Sequence, residues 1–221
     1  MTSNETLPDG FGRDFLRGVQ KHLGGAADAL GDLDRRAGDG DFGTNVRTAL
    51  KLATSNIETD DPATYRQWGT TMYMGWLGVG GTSGPLFGMF FRDLAKAADD
   101  GEPTLAQFAE ALAAGQATIQ KYGEAEVGDK TMVDALDPAV TALRTAVESG
   151  TPAGEALAGA EKAAVEAARA TAETTARRGR ASYVGDVAKG VIDPGAAAMA
   201  LVIGAARAAV DGEEVETAWI G

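Results

Sequence analysis

The stretch LDRRAGDGDFGTN at residues 33–45 places three aspartates, Asp34, Asp39 and Asp41, among glycines and an asparagine. Glycine favours the backbone conformations in which helices end and chains turn, so the stretch is predicted to connect two helices. Aspartate and glycine together are also typical of solvated surface turns. The stretch is therefore either such a turn or a site where the three carboxylates bind a cation.

Apolar residues recur at helical spacing on both sides of this stretch and along the rest of the chain. Thr104 and Gln107 are typical of a capping box, and Asp193-Pro194 is typical of a helix start. The pattern predicts eight helices, over residues 10–28, 43–56, 63–78, 84–98, 104–122, 130–148, 152–176 and 194–210. We find no alternating strand pattern and no linker, which favours one all-α domain over residues 1–221.

Composition narrows the function classes. The 221 residues carry a net charge of −12 and no basic stripe, which argues against nucleic acid and anionic membranes as partners. The absence of cysteine excludes disulfides, thiolate metal sites and cysteine nucleophiles, and the one histidine, His22, lies within the first predicted helix. No signal peptide and no membrane-spanning segment are expected, so the predicted location is the cytoplasm.

Four glycine-rich stretches lie between the predicted helices, at residues 38–45, 78–84, 123–130 and 179–195. They precede the second, fourth, sixth and eighth helices. In an up-and-down helix bundle, alternate connections lie at the same end. We therefore expect the four stretches to form one rim at one end of the bundle.

The first two stretches have residue types that suit a metal ion and an anion. Mg²⁺ prefers oxygen ligands, and three carboxylates on a glycine-rich turn are enough to serve two ions. A calcium-binding helix–loop–helix is excluded, because Leu50 stands at the position where that motif requires a glutamate. Thr82 and Ser83 precede the fourth helix, whose N-terminus suits a phosphate; a helix start that is merely capped and packed by glycine is the alternative.

The other two stretches contribute an apolar wall and charged groups. Gly123 allows close approach of the backbone and Met132 suits a flexible apolar wall, although methionine more often fills a core than stacks on a base. Asp129 and Lys130 are expected to pair with each other or with the rim. Arg180 suits phosphate recognition, with a solvated basic loop as the alternative.

The motifs GDGDFGTN, GGTSGPLFG, GDKTMVDAL and GRASYVGDVAKGVIDPGA, in that order and spacing, resemble the nucleotide-binding L subunit family of dihydroxyacetone kinase. The resemblance covers nearly the whole chain. It implies an eight-helix antiparallel barrel that holds ADP or ATP and two Mg²⁺ ions in the loops at one end. That arrangement agrees with the helix count and the single rim expected from the residues themselves.

The resemblance also implies the site residues. Asp34, Asp39 and Asp41 match the family's magnesium ligands, and no catalytic residue is expected on this chain beyond the metal–nucleotide site. The positions that match nucleotide contacts are Phe42, Gly43, Thr44, Asn45, Thr82, Ser83, Gly123, Met132, Arg180, Asp193, Pro194 and Gly195. Phe42 departs from the family pattern, which has a histidine there. A phenyl ring cannot donate a hydrogen bond to phosphate, so that contact is expected to be lost or replaced.

The activity implied by the resemblance needs a partner. The family transfers a phosphoryl group to a ketose that a histidine of a separate K-type subunit holds covalently, so this chain alone is expected to be inactive on free ketose. The phosphoryl donor is either ATP or a phosphotransferase-system protein that rephosphorylates a retained ADP. A homodimer is expected. The alternative function is a regulatory module that senses nucleotide and binds a transcription regulator.

Overall fold

The computed structural model describes residues 5–178 and 188–221. The predicted contact Arg180 lies outside these residues. Within them the chain forms eight α-helices: α1 (Phe11–Ala37), α2 (Phe42–Asp60), α3 (Tyr65–Leu77), α4 (Ser83–Leu94), α5 (Leu105–Gly123), α6 (Met132–Ser149), α7 (Ala153–Ala170) and α8 (Pro194–Asp211). Three short 3₁₀ turns, Ala95–Ala97, Thr171–Glu173 and Ala218–Ile220, complete the regular structure of the described part.

The helices form a closed ring. Each helix packs against the next one along the chain, and α8 returns to pack against α1. The helix α8 also contacts α6 and α7, and its residues from Pro194 to Arg207 are all buried. The predicted all-α, antiparallel eight-helix barrel is confirmed.

An aromatic cluster fills the barrel near the start of α1. The rings of Phe11 and Phe15 stack with their centroids 5.6 Å apart, and Phe108 of α5 stands perpendicular to both. Tyr65 of α3 stacks on Phe11, and its hydroxyl donates a hydrogen bond to the carbonyl of Leu94. Aromatic pairs in these geometries add stability beyond the burial of their area. This cluster therefore fixes the relative positions of α1, α3 and α5.

Two helix boundaries differ from the prediction in a way that matters for the site. The first helix runs to Ala37 instead of ending at residue 28, because Leu30 and Leu33 continue its buried face and the cost of Gly24 and Gly25 is small beside that burial. Asp34 therefore lies in the last turn of a helix. The helix α7 ends at Ala170 instead of residue 176, and a 3₁₀ turn follows.

The expectation that no segment could span a membrane was wrong for α8. Pro194–Asp211 is long and apolar enough by length and composition, with a mean hydropathy of 1.3. In the fold, most of this helix is buried. A core helix surrounded by other helices is apolar on all sides, so the same composition arises without a membrane.

Candidate functional site

A cavity of about 1010 Å³ opens at the end of the barrel where the four glycine-rich stretches meet. Residues of all four stretches line it, which confirms the prediction of a single rim. The predicted site residues among its walls are Asp34, Asp39, Asp41, Phe42, Asn45, Thr82, Ser83, Gly123, Met132, Asp193, Pro194 and Gly195. These residues are distant in sequence, so the barrel topology brings them together.

Two predicted contacts, Gly43 and Thr44, are not among the described residues that line this cavity. Gly43 is buried where α2 crosses α1, and a Cβ atom there would lie 2.4 Å from the carbonyl oxygen of Ala27 and 3.0 Å from the Cα of Gly31. Thr44 lies on the exposed side of α2. The glycine at 43 is therefore required by helix packing, a role that its place in the motif did not reveal.

The acidic corner of the cavity is built on the end of α1. The side chain of Asp34 is buried, and its Oδ2 accepts a hydrogen bond of 2.9 Å from the backbone N–H of Phe42. Burial raises the pKa of Asp34 above its ordinary value, and the nearby carboxyl of Asp39 raises it further. The Asp39 carboxylate accepts a hydrogen bond of 3.3 Å from the N–H of Asp41. The corner thus concentrates negative charge in a partly desolvated place, where a cation would be stabilised.

The three aspartates suit magnesium by their chemistry, although they do not form a complete cage by themselves. Among the described residues, no group of three or more histidine, aspartate or glutamate side chains is arranged to hold a metal ion. Mg²⁺ in phosphate-transfer sites commonly takes only one or two carboxylates and completes its shell with water and substrate phosphates. The donors present therefore fit Mg²⁺ that arrives with a phosphorylated ligand.

Phe42 forms an apolar part of the cavity wall. Its ring is 7% exposed and lies 5.8 Å from the ring of Phe87, which in turn stacks on Trp76 at 4.4 Å. Its polar contribution comes from the backbone N–H that binds Asp34. Phe42 is thus joined to the core by its side chain and to the acidic corner by its backbone.

The N-terminus of α4 offers backbone donors to the cavity. The helices α6 and α8 are capped by their own Thr131 and Asp193 side chains. Within the part of the chain that the structure describes, Thr82 at the start of α4 makes no side-chain capping hydrogen bond. Asn45 donates from Nδ2 to Ser83 Oγ at 3.4 Å and links the starts of α2 and α4. An uncapped helix start with adjacent hydroxyls is suited to bind an anion.

Asp193 caps α8 from a buried position beside the cavity. Its Oδ2 accepts a hydrogen bond of 2.7 Å from the N–H of Ala196. Burial raises the pKa of this carboxyl, and the hydrogen bond from Ala196 lowers it by less, so that the pKa is about 7. The backbone N–H of Asp193 donates to Thr171 Oγ1 at 2.8 Å, which attaches the start of α8 to the end of α7.

Sequence reasoning missed several residues of the cavity wall. Leu86 and Ile119 line it as apolar residues of α4 and α5, and their helical spacing does not distinguish them from the rest of the core. Arg177 and Arg178 also line it, although we assigned them no role from the sequence. They add positive charge to a cavity whose other side is acidic.

Of the two partners expected for Lys130, the structure has the rim and not Asp129: the ammonium donates to the carbonyls of Ala188 and Val191, in the fourth glycine-rich stretch. Lys130 is 1% exposed, and its ammonium group donates hydrogen bonds to backbone carbonyls between α7 and α8. Asp129 instead accepts a hydrogen bond of 2.9 Å from the N–H of Glu126. Such long-range backbone contacts leave no pattern in the sequence.

With this geometry established, comparison with known proteins gives the family. Residues 36–208 match the DAK2 domain. The chain belongs to the DAK2 domain family. Over 90 residues, this DAK2 protein is 36% identical to a protein of Listeria innocua serovar 6a named PEP-dependent dihydroxyacetone kinase 1, ADP-binding subunit DhaL. That region is 39% of this chain and 42% of the Listeria protein.

Two crystal structures of the dihydroxyacetone kinase of C. freundii are similar to this DAK2 protein. The native form matches with a TM-score of 0.67 and 25% identity over 93% of this chain and 35% of the kinase. The complex with AMP-PNP and Mg²⁺ matches with a TM-score of 0.68 and 26% identity over 91% of this chain and 34% of the kinase. The chain thus spans about a third of the C. freundii kinase, and less than half of the Listeria protein is matched.

Proposed function

We propose that this chain is the nucleotide-binding subunit of a dihydroxyacetone-type kinase. It binds ADP or ATP with magnesium and passes a phosphoryl group to dihydroxyacetone, or a related short ketose, held covalently on a separate K-type subunit. One observation carries the proposal: a single cavity combines three carboxylates with the uncapped N-terminus of α4. These are the two features that a metal-bound polyphosphate requires.

The walls suggest how the nucleotide lies. The backbone N–H groups and hydroxyls of Thr82 and Ser83 would receive phosphate oxygens. Gly123 and Met132 lie on the same cavity beside the apolar Leu86 and Ile119, where an adenine ring would exclude water. The first turn of α4 would therefore contact the phosphates with Ser83 and the base with Leu86.

The metal would be held by Asp34, Asp39 and Asp41, with two ions expected from the family resemblance. Bound magnesium supplies charge neutralisation to the phosphates. The residues of this chain contribute by orienting: the N–H of Phe42 fixes Asp34, and the N–H of Asp41 contacts Asp39. Such positioning accounts for most of the catalysis in phosphoryl transfer.

The chemical groups that activate the ketose would come from the partner. His22 is buried in the first half of α1 and is not among the described residues that line the cavity. Transfer would form a bond between the ketose hydroxyl oxygen and the γ-phosphorus and break the bond to the ADP oxygen. We therefore expect no turnover of free dihydroxyacetone by this chain alone.

The relatives support both candidate donors. The Listeria protein is named as PEP-dependent and ADP-binding, which favours a retained ADP that a phosphotransferase-system protein rephosphorylates. The C. freundii kinase was crystallised with AMP-PNP and Mg²⁺, which favours exchange of ATP in each cycle. Native mass spectrometry of the purified protein distinguishes the two, because a retained cofactor survives purification as ADP with magnesium. We place the reaction in the cytoplasm, where these donors are found.

The test is reconstitution with a co-encoded K-type subunit and a panel of short ketoses, with ATP or the phosphotransferase system as donor. Phosphoryl transfer is expected with the wild-type chain and is expected to be abolished by Asp39→Ala. Asp60→Ala, an exposed aspartate at the other end of α2, is the matched control and should retain activity. Tight nucleotide binding without transfer to any K-type partner would contradict the kinase role and support a nucleotide-sensing module.

A further inference from the structure

Lys130 occupies an unusual place immediately before α6. Its residue is 1% exposed, and its Nζ donates hydrogen bonds to the carbonyls of Thr171 at 2.7 Å, Val191 at 2.8 Å and Ala188 at 2.9 Å. The carbonyl of Thr174 lies at 3.3 Å from the same nitrogen. An ammonium group has three N–H donors, and four carbonyl oxygens use all of them. None is left for a phosphate.

The four carbonyls belong to two separate runs of chain. Thr171 and Thr174 follow α7, whereas Ala188 and Val191 precede α8. The same two runs are joined by a backbone hydrogen bond from the N–H of Gly190 to the carbonyl of Ala172, at 2.8 Å. Lys130 therefore binds both ends of the connection between α7 and α8 to the start of α6.

This junction supports one wall of the cavity. The hydroxyl of Thr171 accepts the hydrogen bond from the N–H of Asp193, and Asp193, Pro194 and Gly195 line the cavity. Arg177, which also lines the cavity, donates its backbone N–H to the carbonyl of Asp129 at 3.1 Å. The carbonyls of Thr171 and Thr174 that bind the Lys130 ammonium therefore lie next to the attachments of both Asp193 and Arg177.

We propose that Lys130 is a positioning residue of the nucleotide site, a built-in cation that holds the start of α8 and the residues after α7 in place. The inference rests on the proposed function for its effect on nucleotide binding. The attachment of the two runs of chain by Lys130 does not depend on the proposed function. Burial lowers the pKa of Lys130, whereas Asp193, Glu173 and Asp134 oppose that effect.

The test uses chemical rescue. Lys130 has a φ of 64°, a left-handed conformation that glycine adopts without strain, so Lys130→Gly removes the ammonium and leaves an acceptable backbone. The space left by the side chain admits n-butylammonium, which brings an ammonium to the same carbonyls. Lys130→Met removes the charge and keeps the volume, so it leaves no room for the amine. Lys189→Met, an exposed lysine in the same connection, is the matched control.

In the chain without nucleotide, Lys130→Gly is expected to speed amide hydrogen exchange in residues 171–178 and 188–195 and to leave α2 and α4 unchanged. Affinity for Mg–AMP-PNP is expected to fall about ten- to hundredfold, the usual effect of removing a group that orients ligand-binding residues. Addition of n-butylammonium is expected to restore both properties in Lys130→Gly. Tetramethylammonium, which has no N–H donor, should restore neither. Lys130→Met should show both losses and no rescue, and Lys189→Met should behave as wild type.

One result would overturn the proposal. Unchanged exchange in both runs of chain in Lys130→Gly would show that Lys130 does not hold them, whether or not the affinity falls. Should Lys130→Gly fail to fold, folding that depends on n-butylammonium would support the proposal, and Lys130→Met supplies the exchange measurement. If the wild-type chain, freed of any retained nucleotide, binds neither Mg–ADP nor Mg–AMP-PNP, the proposed function fails, while the exchange experiment still tests the role of Lys130.

Discussion

Gly43→Ala tests whether close packing of α1 and α2 positions the acidic corner of the site. A Cβ atom at residue 43 would lie 2.4 Å from the carbonyl oxygen of Ala27 and 3.0 Å from the Cα of Gly31. Both neighbours are backbone atoms of α1, so no side-chain rotation relieves the contact. The two helices must separate by about 1 Å at this point to reach ordinary van der Waals distance.

The loss of stability in Gly43→Ala follows from this separation of α1 and α2. Overpacking of a well-packed interior typically destabilises by about 1–3 kcal/mol. The helix propensity gained on replacing glycine with alanine offsets about 1 kcal/mol at most. With the full offset, we therefore expect the free energy of unfolding to fall by up to about 2 kcal/mol. Nucleotide affinity should fall as well, because Phe42, next to Gly43, donates the 2.9 Å hydrogen bond to Asp34.

Urea unfolding followed by circular dichroism measures the first effect, and calorimetric titration with Mg–ADP measures the second. Gly25→Ala in α1 is the matched control, because its Cβ would meet no described atom within 4 Å. This control should gain about 0.5–1 kcal/mol from helix propensity alone. If Gly43→Ala were as stable as Gly25→Ala and bound nucleotide as tightly as wild type, the described contact between α1 and α2 would be wrong.

Three further substitutions test other parts of the structure. The free energy of unfolding of the wild-type chain should fall as the pH rises from about 4 to about 7, because Asp193 must ionise in a buried place. In Asp193→Asn this contribution to the fall, up to about 4 kcal/mol, should be absent. The folded pKa of about 7 exceeds the ordinary 3.8, so the stability that the protonated carboxyl contributes is present below pH 3.8 and is lost as the pH rises through 7. An equal dependence of the unfolding free energy on pH in Asp193→Asn and wild type would contradict this. Arg207→Met should cost about 3 kcal/mol in urea unfolding, because it leaves the mostly buried Glu161 carboxylate, now 2.7 Å from the guanidinium, without its cation. Phe42→Ala should cost about 3 kcal/mol by removing the ring that packs on Phe87, and a loss under 1 kcal/mol would show that the ring is not part of the core.

Helical periodicity predicted the eight helices, and the glycine-rich stretches between them predicted the rim. Glycine-rich turns and helix starts are local signals in the sequence. Thr104 and Asp193, predicted to begin helices, are N-caps in the structure. Alternation of connections in a helical bundle then placed distant loops at one end. The predicted first helix ended at residue 28, whereas the buried face continues through Leu30 and Leu33 and carries α1 to Ala37.

Other features of the site depend on contacts that no local pattern encodes. Gly43 lies in a motif that suggested a ligand contact, yet its neighbours are backbone atoms of a different helix. The carbonyls that receive the Lys130 ammonium lie 41 to 61 residues further along the chain. The role of the Phe42 ring in the core is visible only in its packing against Phe87.

The most direct test of the central claim is calorimetric titration of the wild-type chain with ADP, with and without Mg²⁺. We expect one nucleotide per chain, binding that depends on Mg²⁺, and loss of that binding in Asp39→Ala but not in Asp60→Ala. Any nucleotide retained through purification must be removed first and its loss verified by mass spectrometry. Binding of equal affinity in the absence of Mg²⁺, or in Asp39→Ala, would contradict the assignment of the acidic corner as the metal–nucleotide site.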